Sequence, residues 1–108
     1  MDAVFAGADP HGLIDELRRS DADVTTIDGI ADRAALDEAG IDGADLYVLT
    51  DAGQATSIPV ARERNPDVRV VVYTGDSLPE FVSGQEVLAV DPALLDASAV
   101  AEEIADGA

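Results

Sequence analysis

Residues 3–12 read AVFAGADPHG. The apolar run Ala3–Ala6 predicts a buried strand, Gly7 predicts a tight turn, and the segment after Gly12 has the composition of a helix start. If the later segments supply neighbouring strands, this run is the centre of a parallel sheet. In such a sheet, the turn after Gly7 is where a ligand normally sits.

The rest of the chain repeats the same alternation. Leu13, Ile14 and Leu17 recur at helical spacing among Asp15, Glu16, Arg18 and Arg19, predicting an amphipathic helix over 11–20. Residues 23–28, DVTTID, are β-branched and end at Gly29, a strand followed by a turn. Asp32 is placed to cap a helix that stops at Gly40. Residues 46–50, LYVLT, are nearly all apolar, as in a strand covered on both faces. A third helix runs to Arg64. Pro59 falls in its first turn if Ser57 is the cap, and kinks it if it begins near Ala52. Residues 68–74, VRVVVYT, form the most strand-like run. Ser77 then caps a short helical turn over 77–83, Val87–Val90 form an edge strand, and a last helix over 92–105 carries Leu94, Leu95, Val100 and Ile104 on one apolar face. The sum is a single doubly wound α/β domain over residues 1–108. It has five parallel strands in the order 2-1-3-4-5, and its switch point lies between the first and third.

Binding loops in this architecture lie at the carboxyl ends of the strands. A dinucleotide fingerprint, G-x-G-x-x-G, would place three glycines over the first turn of a Rossmann-like domain. Here Gly7 and Gly12 hold the outer places and Asp9 holds the middle one. That middle glycine normally lets the backbone approach a pyrophosphate, so a carboxylate there adds bulk and like charge. Pro10 removes one backbone N–H as well. Asp28, at the end of the second strand, stands where an acid would hold the ribose hydroxyls of NAD or an adenine nucleotide.

Composition narrows the function. The chain holds 23 acids against 6 bases, a net charge of -17, and every base is arginine. Nucleic acids and anionic membranes need clustered basic residues, so neither is an expected partner. Lysine is absent and short carboxylates are dense, a usage expected of cytoplasmic proteins that work in molar salt. No cysteine is present, which excludes disulfide, thiolate and Cys–metal chemistry. The first ten residues carry no basic, long-apolar pattern of a secretory signal, and no run reaches the length of a membrane span.

The segments DVTTID, DRAALDEAGIDGADLYVLTDAGQ, VARERNPDVRVVVYTGDS and VDPALL together resemble the N-terminal domain of potassium-transport regulators, the TrkA-N or RCK family, and especially its small acidic haloarchaeal members. The resemblance implies a Rossmann-like fold in which Gly7, Gly12 and Asp28 match the nucleotide positions, and Thr50 and Asp51 match the loop beside the nucleotide. Asp9 replaces the family's second glycine. The helix and strand that usually follow the ribose acid are missing, because Asp28 leads almost directly to the DRAALDEAGI helix.

Two functions follow. One is a nucleotide-responsive regulatory domain whose cofactor, NAD or an adenine nucleotide, is held by Gly7, Asp9, Gly12, Asp28, Thr50 and Asp51. The other is a non-catalytic protein-interaction module that kept the architecture and lost the ligand. No catalytic set is expected, since His11, the one histidine, has no partner at a defined spacing. Asp9, Asp28, Asp51 and Asp76 have the chemistry for a hard cation, but in so acidic a chain such coincidence is cheap and no metal site is assigned. A phosphoacceptor receiver domain shares the strand order, with Asp51 and Thr74 suitably placed, but the absence of lysine and the solitary Asp9 speak against it. A surplus apolar face on the last helix raises the expectation of a homodimer; any other protein partner is unspecified.

Overall fold

Continuous apolar runs separated by capped, amphipathic segments fold here as their pattern dictates. The computed structural model describes residues 1–106, the side chain of Ser83 excepted. Five strands, β1 (Asp2–Ala6), β2 (Asp23–Ile27), β3 (Leu46–Leu49), β4 (Arg69–Tyr73) and β5 (Val87–Val90), form one sheet in the order β2-β1-β3-β4-β5. All neighbours are parallel, and β1 is paired on both sides, Ala3 meeting Val24 of β2 and Leu46 of β3. The α/β architecture and strand order match the expectation.

Four helices cover the sheet: α1 (Leu13–Arg19), α2 (Arg33–Glu38), α3 (Ser57–Arg64) and α4 (Ala97–Asp106). Successive strand residues point to opposite faces, so the core splits into two layers. Val4, Tyr47, Leu49, Val70 and Val72 pack under Leu36 of α2 and Ile58 of α3. Phe5, Leu46, Val48 and Val71 pack under Leu13 and Leu17 of α1 and Val100 and Ile104 of α4. All four residues of β3 are buried, as their unbroken apolar run implies.

Local signals explain the boundaries. The Asp32 carboxylate accepts the N–H of Ala35 at 2.9 Å and caps α2, and Gly40 follows that helix in the left-handed region at φ 84°. Asn65 ends α3 and stays buried, because its side-chain amide donates to the carbonyls of Ile41 and Ala44 at 2.9 and 2.8 Å.

Three boundaries differ from the sequence expectation. Ser57 is the first residue of α3 and not its cap. Its hydroxyl is buried on the Tyr47 hydroxyl and the Gln54 carbonyl, and a 3-10 turn over Ala52–Gln54 precedes it, leaving Pro59 unkinked in the first turn. Ser77 does not cap the short turn after β4, which is a 3-10 turn over Glu80–Gly84 beginning after Pro79. The last helix starts at Ala97, because Asp96 accepts the N–H of Ala99 at 2.9 Å and claims the capping role. Leu94 and Leu95 therefore lie outside the helix and are exposed, Leu94 by 81%. On α4 itself Ala97, Val100, Ala101 and Ile104 are buried in the core, so the exposed part of the expected apolar face, Leu94 and Leu95, lies in the turn before the helix.

Candidate functional site

The turn after β1 is built around Asp9. The first N–H groups of a helix have no partner within it. Those of Leu13 and Ile14 donate to the two oxygens of the Asp9 carboxylate at 2.8 and 3.0 Å. Gly12 supplies the left-handed backbone, φ 73°, that swings the chain into α1. The carboxylate thus fills the place where a bound phosphate would meet the helix.

Gly7 is held by sterics. Its φ is 107°, and a Cβ there would stand 2.2 Å from Oγ1 of Thr50. Thr50 is already engaged, its hydroxyl donating to the Ala8 carbonyl at 2.6 Å and its N–H to the Ala6 carbonyl at 3.0 Å. Gly7 and Thr50 therefore join the exits of β1 and β3 at close range. Asp51 caps the following 3-10 turn by accepting the N–H of Gly53 at 2.9 Å.

Asp9 and Thr50 do meet in one cleft at the carboxyl end of the sheet. It measures about 220 Å³ and is shared with His11, Tyr73, Thr74 and Asp76. Gly7, Gly12 and Asp51 are not part of its lining. Asp28 lines a separate depression between β2 and α2, with Thr26, Ala35 and Glu38. Asp28 and Asp9 thus line different depressions. Among the described residues, no three His, Asp or Glu side chains converge to hold a metal, so the four aspartates the sequence allowed as a cation set do not assemble.

The cleft is acidic. Burial pushes the Tyr73 phenol above its ordinary range, and the carboxylates of Asp96, Asp9 and Asp91 push it further. Its hydroxyl donates to the Leu95 carbonyl at 2.7 Å. His11 is exposed and meets the Tyr73 ring edge-on, with centroids 5.7 Å apart; Asp9, and not His11, does the capping.

Gln54 was not singled out from the sequence. Its side-chain carbonyl accepts the Ala31 N–H at 2.7 Å, and its amide donates to Asp51 at 3.3 Å. This ties the loop after β2 to the loop after β3 across the end of β1, which lies between them. Only a residue 23 positions away shows the bond, so no local spacing signals it.

Among the described residues, no helix is long and apolar enough to cross a membrane. No curated protein matches the sequence. The fold is similar to that of a pilus assembly-related protein from Burkholderia pseudomallei K96243, with a TM-score of 0.65 and 17% identity, covering 96% of this chain and 86% of that one. It is also similar to a pilus assembly protein (cpaE) from Burkholderia thailandensis E264, with a TM-score of 0.62 and 16% identity, covering 100% of this chain and 99% of that one. Residues 3–104 match DUF7126, described as a family of unknown function, and the chain belongs to that family.

Proposed function

We propose that the chain is a non-catalytic protein-interaction module on a Rossmann-like frame whose nucleotide site has been closed from within. The observation that carries this reading is the Asp9 carboxylate seated on the N–H groups of Leu13 and Ile14. A phosphate would have to displace a covalently tethered anion and would enter a cleft that Asp9 and Asp76 already make negative. Pro10 offers no N–H in compensation. At 16–17% identity the likeness to pilus assembly proteins supports the fold and leaves the role to the site itself.

One observation favours the alternative, a nucleotide-responsive regulatory domain of TrkA-N type. Gly7 and Gly12 both keep positive φ, and Asp28 is exposed at the end of β2. Titration of NAD, NADH, ATP, ADP and AMP in molar potassium chloride separates the two. The interaction-module reading expects no saturable binding to any of them. Saturable binding that Asp28→Ala abolishes would overturn it.

A further inference from the structure

Parallel strands need crossover connections, and these ordinarily carry a helix that covers the sheet. The connection from β4 to β5 carries only the five-residue 3-10 turn Glu80–Gly84. That turn buries Val82 and leaves Phe81 exposed by 40%. The consequence falls on the same face of β5, where Ala89 is exposed and Val87 is only partly buried. In place of the helix lies an apolar groove of about 370 Å³, walled by Leu78, Pro79 and Val82 on one side and Val87 and Ala89 on the other.

The charge around this groove has one sign. From Val70 to Asp106 the chain has no lysine, arginine or histidine, and it carries Asp76, Glu80, Glu86, Asp91, Asp96, Glu102, Glu103 and Asp106. Two arginines from elsewhere, Arg62 and Arg69, lie beside Val87 and Leu88 on the far side of β5, and they already donate to the carbonyls of Glu86 and Ile104. Two copies of the chain meeting here would set acid against acid, whereas a basic segment would be drawn in.

We propose that this groove docks a short amphipathic helix of a partner protein, apolar on the face that meets Val87 and Ala89 and rich in Lys or Arg along its flanks. The helix would take the place of the one the crossover lacks. A strand of four residues spans about 13 Å, which two to three turns of helix cover. This proposal rests on the interaction-module reading and names its surface and the chemistry of its partner.

A dye-labelled helical peptide with a leucine face and lysine flanks tests it, alongside an equally charged peptide with serine in place of leucine. The expected result is saturable one-to-one binding of the leucine peptide that persists in molar potassium chloride. The serine peptide should bind at least about tenfold more weakly, a difference of about 1.4 kcal/mol. Ala89→Arg, which blocks the groove, and Glu80→Lys, which reverses a charge lining it, should each weaken the leucine peptide by a similar factor at 0.1 M salt, where charge reaches about 10 Å. Melting curves establish that both variants are folded, and Glu80→Lys keeps the test open if Ala89→Arg is not. Equal binding of both peptides, indifference to both substitutions, or no saturable binding would overturn the proposal. So would sedimentation showing a dimer that Ala89→Arg dissociates, since a second copy would then be the occupant. A peptide failure with silent nucleotides removes the groove alone, whereas nucleotide binding removes the module reading.

Discussion

The Asp9 carboxylate lies 2.8 Å from the backbone nitrogen of Leu13, so the start of α1 is neutralised by the chain's own side chain. Replacing Asp9 by Ala leaves the N–H groups of Leu13 and Ile14 without that partner. Loss of such a cap costs about 1 kcal/mol, and thermal unfolding should register it as a fall of roughly 4–8 °C. Asp9→Gly should lose at least as much stability, and it should gain a measurable response to inorganic phosphate that the parent protein lacks. A phosphate response already present in the parent, unchanged by the substitution, would show that the cap does not guard the helix start.

The Tyr47 and Ser57 hydroxyls meet at 2.8 Å inside the core, and their bond is asymmetric in its alternatives. Ser57 also donates to the Gln54 carbonyl at 2.7 Å. In Tyr47→Phe the serine keeps that partner, so the loss should be about 1 kcal/mol. In Ser57→Ala the buried phenol is left unsatisfied, and the cost should be about 1–3 kcal/mol. Denaturant unfolding of the two variants checks the order, and a reversed order would refute the assignment.

Much of this fold is legible because its signals are local. The apolar run of β3, the Asp32 cap and the left-handed Gly40 each depend on residues within a few positions of one another. The end of the chain shows where locality misleads. Pro92 suits a helix start, and Leu94 and Leu95 continue an apolar face, but Asp91 takes the N–H of Ala93 and Asp96 takes that of Ala99. Two capping aspartates in series break the segment into a turn and a later helix. The site is less legible still. Asp9 in the sequence is an obstacle to a pyrophosphate, and only the folded turn shows what the carboxylate does instead. Gln54 bonds to a loop that no spacing connects to it.

Burial raises the pKa of both tyrosines, and for Tyr47 the bond to Ser57 only partly offsets it. The folded-state values lie above the unfolded value of about 10. The stabilisation this represents is fully present below that pH and is lost as pH rises through the folded values. Tyrosinate absorbance of the folded protein should therefore appear later than that of a denatured sample, and the melting temperature should fall steeply above about pH 10. Coincident titration of folded and denatured protein would contradict the burial of both phenols.

The net charge of -17 sets the condition under which all of this holds. Among the described residues three ion pairs form: Arg33–Glu63 and Arg64–Asp37 join α2 to α3, and Arg19–Glu16 lies within α1. Arg18, Arg62 and Arg69 instead donate to backbone carbonyls. Six arginines cannot offset 23 acids, so repulsion between surface carboxylates opposes folding. At 0.1 M salt that repulsion reaches about 10 Å, and at 1 M about 3 Å. Moving between the two should raise stability by about 2 kcal/mol, seen as a melting temperature higher by roughly 10 °C. Because exposed ion pairs weaken with salt, a structure held mainly by those pairs would melt earlier in molar potassium chloride. A level or falling melting temperature would show that the carboxylates are too well hydrated or too far apart to strain the fold.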